Sequence, residues 1–242
     1  MGKRDGIKVG CCGFVVSQQK YFQLFKLIEI QNTFYQLPEL RTAQRWRDSA
    51  PPGFEFTMKA WQLITHQSSS PTYRRLRIKI DPSRSGNYGR FQPTAEVLEA
   101  WDKTGLFART LGASVMLFQC PASFGPTRDN LSNMRRFFGL IDRRGLRFAW
   151  EPRGFWPEGL IAELCEELDL VHCVDPFKNT PQSGDFQYFR LHGITGFGYR
   201  YSDHDLVRLK GWAERRPTYL LFNNNSMRDD ALRMMKLTAA KG

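Results

Sequence analysis

The stretch LRFAWEPRGFWPEGLIAELCEELDLVHCV, residues 146–174, has the pattern of two strands joined by a helix. Residues 146–151 and 170–174 are short, mainly apolar runs, whereas residues 157–168 have the composition of a helix that begins at a proline. Parallel strands need a crossover connection, and that connection is usually a helix. We therefore predict a β-α-β unit with parallel strands in this part of the chain.

The same alternation extends over the rest of the chain. Further strand-like runs are residues 7–11, 27–31, 54–60, 113–119, 186–192 and 218–223. Further helix-like segments are residues 41–49, 94–110, 129–143, 203–215 and 227–238. Eight strands that alternate with helices in 242 residues predict an α/β fold, a (β/α)8 TIM-like barrel formed by a single domain over residues 1–242.

Two connections depart from the ideal repeat. The sixth and seventh strands are joined by DPFKNTPQSGD, residues 175–185, which has no helical pattern, so we expect the helix between these strands to be missing. A long insertion lies between the third and fourth strands. Its residues 81–92 are rich in glycine, serine and proline, which predicts a mobile loop.

The charge and the cysteine content suggest partners and a compartment. The chain has 35 basic and 24 acidic residues, a net charge of +11, which favours nucleic acid or another phosphorylated ligand as the partner. An inert basic surface is the alternative. Five cysteines without a CxxC motif favour a reducing, cytoplasmic location. We expect no membrane partner, because no apolar run approaches the roughly 20 residues that a spanning helix needs. We expect no signal peptide, because Lys8 interrupts the apolar stretch after Lys3 and Arg4 and no small-residue cleavage site follows.

Polar residues recur at the carboxyl ends of the predicted strands, where an α/β core is otherwise apolar. They are Glu29, Gln31, Asn32, Thr57, Lys59, Gln119, Glu151, Arg153, Cys173, Asp175, Arg190, His192, Asn223 and Asn224. In a barrel these strand ends converge on the mouth that holds the active site. An internal ion-pair network, for example Glu29 with Arg190, is the alternative for any single residue. For the whole set we favour a functional site.

The cationic members of this set predict an anion site. Arginine offers a planar fork for phosphate or carboxylate, and lysine offers a compact charge, so Lys59, Arg153 and Arg190 are candidates to hold an anionic group. Asn223 and Asn224 are candidates to orient a substrate or a water molecule.

The remaining members suggest acid–base and metal chemistry. Glu151 is the best candidate for a general base, and His192 for a proton donor. Glu151 and Asp175 together are candidate ligands of Mg²⁺ or Mn²⁺. Glu29 and Glu151 are also a possible glycosidase pair, although the sequence does not give their separation. No P-loop and no GxSxG motif occurs in the chain.

Two stretches combine basic and aromatic residues in the way that nucleic-acid surfaces do. They are TYRRLRIK, residues 72–79, and RRFFGLIDRRGLRF, residues 135–148. For the second stretch, a solvated helix face is the slightly favoured interpretation.

The sequence resembles the DUF72 family, the YecE-like proteins, over nearly its whole length. The similar stretches are VGCCGF (9–14), IEIQNTFYQLP (28–38), RWRDSAPPGFEFTMKAWQLITH (45–66), FQCPASF (118–124), FAWEPRGFW (148–156), FRLHG (189–193), YRYSDHDL (199–206) and LLFNNN (220–225). The resemblance implies a TIM barrel similar in shape to xylose-isomerase-like and endonuclease IV-like barrels, with no settled activity. It implies the following site residues: Asn32, Thr33, Tyr35, Lys59, His66, Glu151, Arg153, Arg190, His192, Gly193, Asn223 and Asn224.

Our leading hypothesis from the sequence is a phosphoester hydrolase, a nuclease acting on DNA or RNA. In this hypothesis Lys59 assists catalysis at the phosphate, a carboxylate activates water, and Asn32, Tyr35 and His66 help to bind the substrate. A sugar or sugar-phosphate isomerase, lyase or glycosidase is one alternative. A non-catalytic nucleic-acid or anion-binding protein is the other. Cys11 and Cys12 end the first strand, where one of them should face the barrel mouth and the other the helix layer.

Overall fold

In the computed structural model, which describes residues 6–239, eight parallel strands form a closed barrel in sequence order. The strands are β1 (Ile7–Cys12), β2 (Leu27–Ile30), β3 (Glu55–Lys59), β4 (Ala113–Gln119), β5 (Arg147–Glu151), β6 (Val171–Val174), β7 (Gln187–Leu191) and β8 (Thr218–Phe222). Pairing of β1 with β8 closes the barrel, with Val9 opposite Leu220. The predicted α/β barrel fold is therefore confirmed. The single domain predicted over 1–242 extends into residues 1–5 and 240–242, which lie outside the described part.

The helices surround the barrel. They are α1 (Gln18–Leu24), α2 (Leu40–Ser49), α3 (Gln62–Thr65), α4 (Ala95–Leu111), α5 (Arg128–Leu140), α6 (Glu158–Glu167), α7 (Asp203–Ala213) and α8 (Met227–Ala239). The sequence did not predict the short helices α1 and α3. At α7 the Ser202 hydroxyl accepts from the Asp205 N–H, and the Asp205 carboxylate accepts from the Ser202 N–H, which forms a capping box. None of the helices within residues 6–239 is long and apolar enough to cross a membrane.

Both predicted departures from the ideal repeat are present. A loop without a helix joins β6 to β7, and the segment between β3 and α4 holds α3 and two 3-10 turns, Pro71–Arg75 and Pro82–Asn87. The second turn lies within residues 81–92, the stretch predicted to be a mobile loop. Phe91 near the end of this stretch is fully buried and packs on Phe118. This part of the insertion is thus anchored to the barrel wall.

The two cysteines of β1 point to opposite sides of the strand. Cys12 belongs to the apolar group inside the barrel, whereas Cys11 packs in the layer between barrel and helices and its N–H donates to the Tyr21 hydroxyl. Burial raises the pKa of the Cys11 thiol to about 12 and that of Cys12 well above its ordinary value. A side chain at Gly10 would also point inward, where its Cβ would lie 2.3 Å from the Leu27 carbonyl oxygen. Small residues are therefore required where β1 passes β2.

Candidate functional site: a cationic pocket at the barrel mouth

A pocket of ≈ 630 Å³ opens at the carboxyl ends of the strands. Its lining residues are Cys12, Gly13, Phe14, Ile30, Gln31, Asn32, Tyr35, Lys59, Arg75, Gln119, Arg153, Arg190, His192, Phe197, Asn223 and Met227. A larger hollow of ≈ 910 Å³ lies at the opposite end, around the start of β1 and the end of α7. Because barrel enzymes bind substrates at the carboxyl ends of the strands, we assign the candidate site to the smaller pocket.

Under this pocket lies a buried ion pair between opposite sides of the barrel. The Arg190 guanidinium donates to both carboxylate oxygens of Glu29, with nitrogen–oxygen distances of 2.8–3.1 Å. The Tyr188 hydroxyl donates to the same carboxylate at 2.9 Å, and the Arg190 side chain is 1% exposed. The internal pair considered as an alternative in the sequence is therefore present. Arg190 lines the pocket, but most of its donors are engaged by the protein.

Glu151 lies beside this pair and is held by two arginines. Its carboxylate is 2.7 Å from Arg190 Nη1 and 2.5 Å from Arg153 Nη2. Burial raises the pKa of the Glu151 carboxyl, but the neighbouring Arg190 and Arg153 outweigh burial and hold that pKa at about 2. A carboxylate with so low a pKa is a weak proton acceptor, so the predicted role of Glu151 as a general base has no support from its surroundings.

His192 is a neutral imidazole in this environment. Its Nε2 lies 3.3 Å from Arg190 Nη1 and 3.4 Å from Arg153 Nη2. Since a guanidinium only donates, Nε2 accepts, and the proton is assigned to Nδ1, which lies 3.9 Å from Asp175 Oδ2. Burial and the Arg190 charge lower the pKa of His192 to about 4. A proton donor at neutral pH needs the imidazolium form, so this pKa disagrees with the predicted acid role.

Lys59 is the other titratable group of the pocket floor. Its Nζ donates to Gln119 Oε1 and lies 3.6 Å from the centre of the Phe34 ring. Among residues 6–239, no carboxylate oxygen lies within 4 Å of this amine. Burial and the nearby Arg190 charge lower the pKa of Lys59 to about 7. A substantial fraction of Lys59 is therefore an uncharged amine at neutral pH, the form that acts as base or nucleophile.

Three of the predicted binding residues lie at the rim of the pocket, together with Gln31 and Arg75. Asn32, Tyr35 and Asn223 all line it. The Arg75 guanidinium stacks over the Tyr35 ring at 3.6 Å, and the Gln31 amide donates to the Cys12 carbonyl at 2.6 Å. The rim thus offers a guanidinium and several amide groups to a ligand.

Besides Glu151, three other predicted site residues do not line the pocket. His66 is buried against the Phe34 ring, its Nδ1 is hydrogen-bonded to the Thr65 hydroxyl, and burial lowers its pKa to about 3. Asn224 donates to the Tyr199 carbonyl and to Asp230, which ties the end of β8 to α8. Asp175, the third, accepts from the His192 and Phe177 backbone N–H groups. The polar atoms of His66, Asn224 and Asp175 described here bind other parts of the protein and hold the surrounding loops in place.

Some residues that line the pocket received no catalytic, binding or metal role from the sequence. Gln119 was visible as a polar strand end, and Arg75 lies in the basic stretch 72–79. Phe197 lies in a glycine-rich loop whose composition gave no signal. The sequence does not show how the insertion and this loop fold over the mouth, because neither has a periodic pattern.

The carboxylates near the pocket do not fit the metal site suggested by the sequence. Magnesium and manganese prefer several oxygen ligands with free lone pairs. The Glu151 oxygens face two arginines, and the Asp175 oxygens accept backbone hydrogen bonds. Within residues 6–239, no three His, Cys, Asp or Glu side chains are grouped to hold a metal ion. The metal at Glu151 and Asp175 stays a prediction.

The two basic stretches differ in their surroundings. Arg75 of stretch 72–79 lines the pocket. In stretch 135–148, by contrast, four of the five arginines bind neighbouring segments, as Arg135 does with Glu163 and Glu167. Arg144 in the same stretch pairs with Asp102. Arg135 connects α5 to α6, whereas Arg144 lies beyond the end of α5 at Leu140, so the stretch as a whole does not form one solvated helix face.

The fold and the site together define a closed (β/α)8 barrel protein with a cationic pocket at the carboxyl ends of its strands. The family model described as "Protein of unknown function DUF72" matches residues 18–241, and the chain belongs to this family. The resemblance seen in the sequence is thus confirmed.

Solved structures agree with this assignment. A DUF72 family protein from Enterococcus faecalis V583 has 20% identity and a TM-score of 0.72, covering 99% of this chain and 100% of that one. A DUF72 family protein from Thermotoga maritima MSB8 has 19% identity and a TM-score of 0.71, covering 97% and 100%. A xylose isomerase domain containing protein from Salmonella typhimurium LT2 has 12% identity and a TM-score of 0.57, covering 93% and 91%. At these identities the likeness shows the fold alone. No curated protein matches the sequence.

Proposed function

We propose that this protein is a lysine-dependent enzyme of the isomerase or lyase class, acting on a small aldehyde or ketone that carries an anionic group. Lys59 is the residue that reacts with the substrate. The observation that carries the proposal is the place of its amine, at the floor of a pocket whose other charged lining residues, Arg75, Arg153 and Arg190, are all cationic.

The pocket supports binding of an anionic group. Arg153 is the more exposed of the two arginines on Glu151, and Arg75 lies at the rim. The charges around the pocket floor balance, since Glu29 and Glu151 face the buried Arg190 and the partly exposed Arg153. A protonated Lys59 adds one positive charge to this neutral floor. A phosphate or carboxylate group is the complement of such a pocket.

The state of Lys59 supports attack on a carbonyl carbon. The uncharged amine forms the C–N bond with its lone pair, and the carbonyl oxygen takes up two protons and leaves as water. The resulting iminium withdraws electrons from the adjacent carbon, so a proton there becomes easier to remove. Hydrolysis of the iminium restores the lysine. Isomerisation and elimination both proceed through such a proton loss.

Hydrolysis of a phosphodiester, the leading hypothesis from the sequence, has less support. It needs a base and an acid near neutral pH, whereas the pKa of Glu151 is about 2 and that of His192 is about 4. Non-catalytic anion binding uses the same arginines but leaves the lowered pKa of Lys59 without a role. A cytoplasmic location also stays a prediction. The five free, buried cysteines agree with a reducing compartment.

Trapping with borohydride tests the proposal, because it reduces an iminium to a stable secondary amine. The protein is incubated with glyceraldehyde 3-phosphate, ribose 5-phosphate or pyruvate, reduced, and digested for peptide mass spectrometry. We expect an adduct on the peptide that contains Lys59. The adduct should disappear in Lys59→Arg and persist in the matched surface variant Lys103→Arg.

Two results would overturn the proposal. One is the absence of an adduct at Lys59 with every oxo compound of the panel. The other is labelling of Lys59 no greater than that of exposed lysines such as Lys103. Cleavage of nucleic acid that requires a divalent cation and survives Lys59→Arg would support the hydrolase instead.

A further inference from the structure

Two large aromatic side chains stand exposed at the barrel mouth. Phe155 on the loop after β5 is 86% exposed, and Phe197 on the loop after β7 is 58% exposed. Phe197 lines the pocket, and its ring meets the His192 ring edge-on at 5.8 Å. Single exposed apolar residues are ordinary, but two phenylalanines on loops that converge on one polar pocket offer flat surfaces to a ligand.

Cationic side chains border the same mouth. The insertion between β3 and α4, residues 60–94, has six arginines and lysines and one carboxylate, Asp81. Exposed Lys178 and Arg200 lie on the loops after β6 and β7. Arg75 is fixed over the Tyr35 ring. The insertion, with six basic residues and one carboxylate, therefore contributes part of the chain's excess positive charge beside the exposed rings.

We propose that the substrate of this site is part of a single-stranded DNA that lies across the barrel mouth. Its bases stack on Phe155 and Phe197, and its phosphates bind Arg75 and Arg153. Stacking platforms bordered by cations are the means by which proteins hold single strands without reading their sequence. The net charge of +11 favours the same polyanion. Stretch 135–148 is not placed on this surface, since Arg135 and Arg144 bind neighbouring helices.

The proposal rests on the function proposed for Lys59 and names its substrate class: the ring-opened sugar of a strand that has lost a base. That sugar carries an aldehyde at C1′ and a phosphate on each side. Lys59 Nζ forms the bond to C1′, and the aldehyde oxygen leaves as water. C2′ then loses a proton to solvent water, because Arg153 and Arg190 already occupy the lone pair of His192 Nε2.

The electron pair of that C2′–H bond forms the C2′=C3′ double bond. The C3′–O bond breaks, and its electrons leave with the phosphate, which becomes the 5′-phosphate of the released strand. Water then hydrolyses the iminium, which frees Lys59 and an unsaturated aldehyde. These steps consume no oxidant, reductant or metal. The strand is thus cleaved by elimination, a route that needs no carboxylate base.

Two measurements on the full chain test the proposal. The first is fluorescence anisotropy with a labelled 20-nucleotide single strand and with the same sequence as a duplex, at several salt concentrations. We expect salt-sensitive binding that is weaker for the duplex, whose bases are already stacked. Phe155→Ala with Phe197→Ala should weaken single-strand binding at least tenfold. Arg75→Ala should make binding weaker and less salt-dependent.

Two variants far from the mouth control for the loss of an exposed apolar side chain and of an exposed charge elsewhere on the surface. Leu140→Ala removes an exposed apolar side chain from the end of α5, and Arg109→Ala removes an exposed charge from the last turn of α4. Both should leave the affinity unchanged. If they weaken binding as much as the mouth variants do, the strand does not lie on the mouth and the proposal fails.

The second measurement is borohydride trapping of a strand with one abasic site. We expect a covalent complex that is lost in Lys59→Arg, while the affinity for the intact strand is kept. If small oxo compounds are trapped at Lys59 but the abasic strand is not, this inference fails and the proposed function stands. If the strand binds at the mouth but nothing is trapped at Lys59, the proposed function fails, and the elimination at the abasic sugar fails with it. Self-association through the two phenylalanines without DNA binding would also overturn the inference.

Discussion

Arg190 of β7 extends across the barrel and binds the Glu29 carboxylate of β2 through Nε and Nη2, at 2.8–3.1 Å. Neither side chain is more than 1% exposed. Arg190 also binds Glu151 through Nη1, so one guanidinium fixes two carboxylates. This arrangement keeps Glu151 ionised, leaves the floor of the pocket uncharged, and makes Arg190 a positioning residue for the groups that face a ligand.

We expect Glu29→Gln to destabilise the protein by about 3–5 kcal/mol, because it leaves part of the buried Arg190 charge uncompensated. The measurement is the free energy of unfolding from urea denaturation. Glu99→Gln is the matched control, since Glu99 pairs with Lys103 on the exposed face of α4. That exposed pair should contribute about 1 kcal/mol or less. Equal losses in the two variants would contradict the structural role of the buried pair.

The reactivity of Lys59 should follow its pKa of about 7. Trapping at this lysine should increase as the pH rises through 7 and level off above 8, because only the uncharged amine attacks a carbonyl. Arg153→Gln removes a neighbouring cation and should shift the midpoint to higher pH, whereas Glu151→Gln removes an anion and should shift it to lower pH. The readout is the initial rate of adduct formation against pH. Shifts in the same direction for both variants would contradict this electrostatic explanation.

Buried histidines should make the protein sensitive to acid. The pKa of His66 is about 3, and those of His172 and His192 are about 4, whereas an unfolded histidine titrates near 6.5. The folded state therefore disfavours the protonated form, so the stabilisation is complete above pH 6.5 and is lost as the pH falls towards 4. Each residue should contribute roughly 2 kcal/mol to the loss between pH 7.5 and 4.5.

Unfolding free energies at several pH values measure this effect. His66→Asn should make the dependence on pH shallower over that interval. His204→Asn, at an exposed position of α7, is the control and should leave the slope as it is. An unchanged slope in His66→Asn would show that this histidine titrates alike in the folded and unfolded chains.

Gly10→Ala should destabilise the barrel, because the new Cβ would lie 2.3 Å from the Leu27 carbonyl oxygen and β1 would have to move away from β2. We expect a loss of about 2 kcal/mol or more in urea unfolding. Gly139→Ala is the matched control in α5, where nothing beyond the helix's own neighbouring backbone lies within 4 Å of the new Cβ. It should be neutral or slightly stabilising, since alanine is the better helix former. A tolerated change at Gly10 would contradict the close approach of the two strands.

The barrel itself could be predicted from the sequence, because its strands are short apolar runs between longer helical segments. Strand ends also follow the pattern closely, as Lys59 and Glu151 end β3 and β5 where polar residues interrupt the apolar runs. Helix α1 was missed because QQKYFQL is only seven residues long and buries one of them, Tyr21. The predicted helix over 129–143 ends earlier, at Leu140, where Ile141 takes an extended backbone conformation.

The roles of individual site residues were harder to predict from the sequence than the barrel fold. The sequence places Glu151 and His192 at the mouth but does not show that both lie against Arg153 and Arg190. These arginines keep Glu151 ionised and His192 neutral. These roles depend on distances between strands far apart in the chain. Asn223 and Asn224 show the same limit, since they are adjacent in sequence yet only the first lines the pocket.

The pair between Glu29 and Arg190 has a consequence for how the chain folds. The two residues are 161 positions apart, so their contact cannot form until the seventh strand has joined the second across the nearly closed barrel. We expect this contact to form after the folding barrier, because it needs both strands already in place. Weakening this pair should therefore accelerate unfolding while leaving the refolding rate almost unchanged. The charges that shape the floor of the pocket would then also determine how long the native barrel persists once it has formed.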